Sequence, residues 1–298
     1  AGLHLSCLAA GFKKGDEVLV TAMSHTATSH AVEYTGASVK FIDTEKLTGN
    51  IKVSEIEKNI SKKTKGLILV HMAGYSCDLK EISKICKKNK LKLIEDCAHA
   101  VGTYYNKKHV GNFGISGSFS FYPTKQITTG EGGMVVTNNR KIYQIIKSLK
   151  AFGIDKDINQ RKKQGQYEVK QLGFNYRMTD FQSAIGYEQI KDYKKNLSRR
   201  ILIAKRYHLN FKNNKRIQTM PFNNNCSYFI FQIFTKNRDK VLKILKEKIE
   251  YLLEKYIDIY IKKKENNEYQ AYDKELLFKI HSIYRRSNLI TITKKNIR

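Results

Sequence analysis

The sequence predicts an α/β fold, a mixed and mostly parallel sheet flanked by helices. Two observations lead there. Short apolar runs of strand length recur through the first half of the chain, and segments of helical periodicity separate them, as strands joined by crossover helices require. A third observation agrees: the most chemically distinctive residues fall at the ends of those runs.

In chain order, EVLVT (Glu17 to Thr21) is the first strand and Thr26 to Tyr34 the helix after it. Ser38 to Ile42 is the second strand, followed by a helix over Val53 to Asn59. Gly66 to His71 and Leu91 to Glu95 are the third and fourth strands, with a helix over Leu79 to Asn89 between them. Ser118 to Phe121 and Gly133 to Thr137 complete the series, and Arg140 to Ala151 reads as a further helix. A long helical stretch runs from Thr179, its N-cap, to about Tyr207, with Phe181, Ala184, Ile185 and Ile190 on one side. Beyond it Ser227 to Phe234 alternates as a strand and Asp239 to Lys248 reads as a helix. The expected division is a large domain over residues 1–195 and a smaller α+β domain over 196–298, the long helix linking them. From Ile249 onward the chain is strongly charged, with scattered Tyr and Ile, and shows no readable fold.

At 298 residues the chain can bury a large core. No apolar run reaches membrane-spanning length and the N-terminus is not signal-like, so a cytoplasmic protein with no membrane partner is expected. Cys7, Cys77, Cys86, Cys97 and Cys226 show no paired spacing, which argues against a disulfide framework or a zinc site. The formal net charge of +28 raises nucleic acid as a partner, because Lys and Arg neutralise phosphates. The lysines are instead spread along the whole chain, in pairs such as Lys62–Lys63 and Lys107–Lys108, without a recognition motif. No nucleic-acid partner is expected.

The segment from Leu93 to Asn138 is the most informative. It places Asp96 at the end of an apolar strand and Lys125 after a second strand, beside the turn TTGEGG. In α/β sheets ligands sit beyond the carboxyl ends of the strands, so both residues arrive at one rim. An acid there is costly to desolvate without a cation, and a lysine buried there has a lowered pKa and becomes a nucleophile and base. Pyridoxal 5′-phosphate unites the two needs: a lysine amine bonds its aldehyde, and a carboxylate keeps its ring nitrogen protonated. The plainer reading of Asp96 is an N-cap for a helix over Cys97 to Val101, and that of Lys125 a surface lysine.

Taken in order, GLHLSCLAAGFKKGDEVLV, SHTATSHAVEYTGA, VHMAGYSCDL, IEDCAHAVG, SFSFYPTKQITTGEGGMVVT and GFNYRMTDFQSAIGYEQI resemble the DegT/DnrJ/StrS family of nucleotide-sugar aminotransferases. The resemblance implies the aspartate-aminotransferase-like fold (fold type I) of pyridoxal-phosphate transferases. It makes Lys125 the Schiff-base lysine and Asp96 the partner of the pyridine nitrogen. By the same resemblance His99 stands near the cofactor's phenolic oxygen, Ser120 at its phosphate, and His25 on its ring face. Asn175 is similar to the asparagine that reaches the phosphate of a neighbouring subunit, which implies a homodimer with shared active sites. The implied reaction moves an amino group from L-glutamate to a nucleotide-linked keto-deoxy sugar, a 4-keto-6-deoxyhexose, in amino-sugar or cell-surface polysaccharide biosynthesis.

The resemblance departs at both ends: the chain opens inside the first large-domain helix, and the family pattern fades beyond about Lys248. A truncated, catalytically inactive or regulatory homologue is therefore the alternative expectation.

Overall fold

The computed structural model describes residues 1–155, 163, 165–248 and 290–294. They fall into two compact units. The first comprises residues 1–203 and 223–229; the second comprises 204–222 and the described residues from Ile230 onward.

The first unit is built on a six-stranded sheet. In chain order its elements are α1 (Gly2–Ala10), β1 (Glu17–Thr21), α2 (Thr26–Glu33), β2 (Ser38–Ile42), α3 (Val53–Ile56), β3 (Thr64–Val70), α4 (Leu79–Lys88), β4 (Lys92–Asp96), a hairpin of β5 (Tyr104–Tyr105) and β6 (Lys108–His109), β7 (Ser116–Ser120), β8 (Gly133–Val136), α5 (Arg140–Leu149) and most of α6 (Asp180–Phe211). The strand order is β2-β1-β3-β4-β7-β8, all parallel except β8, which runs antiparallel to β7. This is the mixed, mostly parallel sheet expected from the alternation of short apolar runs with helical segments.

Side chains of the central strands are buried on both faces, as a sheet covered by helices on each side requires. Leu19, Leu67, Leu69 and Leu93 join one core cluster, with Ile42, Ile56, Leu79 and Ile82. Val18, Val20, Ile68 and Ile94 join the other, with Ala10, Phe12 and Val32 from the α1 and α2 side. The two-residue period of a strand sets this division, and it decides which way each residue at a strand end will face.

Most expected elements lie within a residue or two of their expected ends, and four particulars differ. Strand β4 ends on Asp96 instead of just before it, because Asp96 pairs with Val70 on one side and Ser118 on the other. No helix follows over Cys97 to Val101; the segment is a turn, whose Ala98 N–H donates to Asp96 Oδ1 at 3.0 Å. Ser24, which the sequence offers as the cap of α2, bonds the Thr28 hydroxyl, and the cap is His25, whose Nδ1 accepts from Ala27 N–H at 3.1 Å. The strand expected from Ser227 starts only at Phe231, since Tyr228 has φ of 45°, a left-handed conformation that no extended strand accommodates.

Helix α6 begins with a reciprocal cap: Gln182 N–H donates to Thr179 Oγ1 at 3.2 Å and Thr179 N–H to Gln182 Oε1 at 3.0 Å. Of the residues expected to form its apolar stripe, Phe181 is 76% and Ile190 58% exposed, while Tyr193 is buried.

The second unit contains the end of α6, β9 (Gln218–Thr219), β10 (Phe231–Thr235), a helix α7 over 238–248, and β11 (Ile290–Lys294). Strand β10 lies between β9, antiparallel to it, and β11, parallel to it. Most of the expected tail from Ile249 lies outside the described residues.

Candidate active site

Asp96, Ser118 and Ser120 share one face of the sheet. Asp96 is in register with Ser118, and Ser120 follows two residues later at the end of β7. Asp96 has the parity of Ile94, so it faces the α1 and α2 side. There, at 5% exposure, its Oδ2 accepts from the hydroxyl of the buried Thr28 at 2.8 Å. Among the described residues no cation lies within ion-pair distance of it. Burial raises the Asp96 pKa, against the opposing pull of the Ala98 and Thr28 hydrogen bonds and the nearby Lys125 charge.

Lys125 sits in the turn that leaves β7. Its N–H donates to Tyr122 O at 2.9 Å, and Phe121 is tied across the turn by Gly132 O at 2.8 Å and by the Thr129 N–H at 2.9 Å. The glycines make this closure possible. Gly130 has φ of 76° and Gly132 of 155°, and a Cβ added at Gly132 would fall 2.2 Å from Thr129 Oγ1. The Lys125 ammonium lies 4.6 Å from the centroid of the Phe229 ring. Burial lowers its pKa, and the Asp96 charge only partly restores it.

His99 stacks on the same Phe229 ring, centroids 4.4 Å apart and planes 20° from parallel. Its buried Nδ1 has no hydrogen-bond partner among the described residues. Burial first, then the Lys125 and His25 charges, push its pKa down to about 3, so the ring is neutral at any physiological pH.

Of the six residues singled out in the sequence, Asp96, Lys125 and His99 come together, and His25 lies near enough to act electrostatically on His99. Ser120 ends β7 on the same rim, where its Oγ accepts from Tyr122 N–H at 3.3 Å. Asn175 is held elsewhere: it bridges Ala151, and its exposed side chain accepts from Arg177 Nε at 3.1 Å.

Three contributors were missed. Thr28 is one of several hydroxyls in SHTATSH, and nothing local distinguishes it. Phe229 comes from a segment more than a hundred residues after Lys125 and carries no motif. Glu95 carried a readable signal, an acid closing an apolar strand ahead of a glycine-containing loop. It faces away from Asp96, with the parity of Leu93. There its oxygens accept from His71 Nε2 at 3.1 Å and from the N–H groups of Gly111 at 2.7 Å, Phe113 at 2.7 Å and Gly114 at 2.9 Å. Burial would raise its pKa, but these donors outweigh it and leave it lowered.

Ligand-type atoms of His71, Glu95 and Cys97 lie within 4.8 Å of one another. The Glu95 oxygens and both His71 nitrogens already have hydrogen-bond partners, Nδ1 accepting from Cys77 N–H at 3.1 Å, and burial keeps the Cys97 thiol protonated. The arrangement is a filled lock under the sheet end and leaves no lone pair for an ion.

The other side of the strand is under-partnered. Asp96 lacks a cation, His99 Nδ1 lacks a partner, and Lys125 Nζ meets only an aromatic face among the described residues. A pyridine N–H, a phenolic oxygen and an aldehyde would complete the three, so the donor set fits pyridoxal phosphate.

The sequence model of the DegT/DnrJ/EryC1/StrS aminotransferase family matches residues 1–275, past Lys248 where the pattern fades to direct reading. An uncharacterized protein of Methanocaldococcus jannaschii is 45% identical over 216 residues, 72% of this chain and 56% of that protein. GDP-perosamine synthase of Escherichia coli O157:H7 is 37% identical over 238 residues, 80% of this chain and 64% of the relative. The solved structure of Helicobacter pylori PseC, an aminotransferase involved in the biosynthesis of pseudoaminic acid, matches with a TM-score of 0.73 at 31% identity, covering 85% of this chain and 68% of that one. The chain thus spans 56% and 64% of the length of these two curated relatives. The fold is the α/β aminotransferase fold expected from the sequence.

Proposed function

The chain belongs to the DegT/DnrJ/EryC1/StrS aminotransferase family, and from that premise we propose that it is a pyridoxal-phosphate-dependent aminotransferase acting in the cytoplasm on nucleotide-linked sugars. Its substrate is a keto-deoxy sugar, a 4-keto-6-deoxyhexose on a nucleoside diphosphate, and its amino donor is L-glutamate. The observation that carries this reading is the set of under-partnered groups, Asp96, His99 and Lys125, on one rim of the sheet. The relatives named as GDP-perosamine synthase support the substrate class.

Pyridoxal phosphate would supply an aldehyde that takes up the amine and a ring that draws electrons from the carbon being deprotonated. Asp96 would hold the ring nitrogen protonated. Burial raises its pKa, and the cationic ring N–H would oppose that pressure. Lys125 Nζ, with its pKa lowered by burial, would bond the aldehyde and then carry the proton of the donor α-carbon. His99 stays neutral and offers one hydrogen bond without adding charge. Ser120 would bind the phosphate, His25 would cover the ring face, and Asn175 would serve the phosphate site of the second subunit of a homodimer.

The test is direct. The purified protein mixed with pyridoxal phosphate should develop absorption near the visible edge, borohydride should fix the label on Lys125, and glutamate with a nucleotide-linked 4-keto-6-deoxyhexose should yield 2-oxoglutarate. A colourless protein with Lys125 unlabelled would overturn the reading and favour the inactive homologue.

A further inference from the structure

Behind Asp96 lies a second hydroxyl. Thr28, on the first turn of α2, is fully buried and donates to Asp96 Oδ2 at 2.8 Å. A hydroxyl has one proton, so with that proton committed the Thr28 oxygen acts as acceptor toward its other neighbour. That neighbour is Ser24 Oγ, partly exposed and in hydrogen-bond contact with Thr28 Oγ1. The direction is therefore fixed: Ser24 donates to Thr28, and Thr28 donates to the carboxylate.

We propose that Ser24 and Thr28 form a two-hydroxyl relay that positions the Asp96 carboxylate and holds it as an anion for the pyridine nitrogen of the cofactor. The relay rests on the function proposed above and adds two positioning residues to it. Its logic is geometric. Oδ1 is turned by the Ala98 N–H and Oδ2 by Thr28, from two different elements, so the carboxyl plane is fixed and its remaining lone pairs are left for the ring. Each donated hydrogen bond also favours the charged form against the burial that disfavours it. The charged and titratable groups around Asp96 are Lys125 from the turn after β7, His71 from the end of β3, and Glu95 and Cys97 on either side of it in the chain. His99 in turn feels the charges of Lys125 and His25. None of them is within hydrogen-bond distance of the carboxylate, which leaves Thr28 as its one side-chain donor among the described residues.

The experiment measures the affinity of pyridoxamine 5′-phosphate, which forms no bond to Lys125, by fluorescence titration across pH. Wild type should bind it, with an acid-side loss of affinity as Asp96 takes up a proton. Thr28→Val keeps the shape and removes the hydroxyl. It should bind about tenfold more weakly, with the acid-side midpoint raised by about one pH unit, the scale of one lost charge-assisted hydrogen bond. Thr28→Ser should restore both, which a packing role for Thr28 would not predict. Ser24→Ala, at a partly exposed position where folding is not at risk, should shift both in the same direction by less. Wild-type affinity and midpoint in Thr28→Val, or in Ser24→Ala should the former not fold, would overturn the relay and leave the proposed function standing. A wild-type protein that binds no pyridoxamine phosphate would overturn that function and the relay with it.

Discussion

Glu95 and Asp96 are consecutive on one strand, both buried, and opposite in fate. Glu95 turns to the α4 side and receives four hydrogen bonds, three from backbone N–H groups of residues 111–114 and one from His71. Asp96 turns to the α2 side and receives two. The first ends with its pKa lowered, the second with its pKa raised. Burial does not set the two acids apart; the number of carboxylate lone pairs left without a donor does. Glu95 fastens a loop to the sheet. Asp96 keeps lone pairs open, where the ring N–H of the proposed cofactor would bring a positive charge.

The comparison can be broken most sharply at Asp96. Asp96→Asn should lower amino transfer by about 10³-fold, the scale of losing a preorganised charge at the reacting group. The cofactor-free protein should melt at the same temperature or higher, because an uncompensated buried carboxylate is gone. Calorimetry beside a 2-oxoglutarate assay checks both, and unchanged turnover would mean that Asp96 is as structural as Glu95. The opposite pattern is expected of Glu95→Gln. It should destabilise the fold by about 3 kcal/mol in urea denaturation, since buried N–H donors lose their acceptor, while turnover per folded molecule stays within a few-fold of wild type.

Melting temperature against pH sharpens the contrast further. A carboxyl whose folded pKa is lowered stabilises the fold above its unfolded value and loses that contribution as pH falls through the folded one. The advantage of wild type over Glu95→Gln should therefore be complete above about 4.5, the ordinary value for Glu, and close in stronger acid. For Asp96 the sign reverses. Its raised pKa means that the carboxylate costs stability at neutral pH, so Asp96→Asn should gain most there, and the gain should shrink as pH falls toward the ordinary Asp value of 3.8. The smallest effect is expected at Phe229, where Phe229→Leu removes the ring beneath Lys125 and beside His99. A weakening of pyridoxal phosphate binding by about 1 kcal/mol, read by absorbance titration, would match the cation–π contact.

The strands were legible because most are short runs with apolar residues at their centres. Strand β1 runs over Glu17–Thr21 and β2 over Ser38–Ile42, as read from the sequence. Asp96 and Lys125 were singled out by the blocks that resemble the family, since by position alone a cap and a surface lysine are the plainer readings. Thr28 was not, because a hydroxyl becomes meaningful only once tertiary structure sets it against a carboxylate. Strand β10 was expected too early because a polypeptide that alternates in sequence can still be turned by one residue, and Tyr228 adopts a positive φ that no propensity forecasts. That same irregular segment lets Ser227 accept from Gln126 at 2.9 Å through its carbonyl and donate to the His99 carbonyl at 3.0 Å.

The first unit is assembled from two stretches of chain, residues 1–203 and then 223–229. During synthesis on the ribosome, the sheet with Glu95 and Asp96 emerges long before the aromatic ring that Lys125 and His99 share. A nascent chain that has passed residue 203 but not reached Asn223 would carry the whole sheet and still lack Phe229. Translation thus delivers the ring that packs on Lys125 and His99 last among the parts of the first unit.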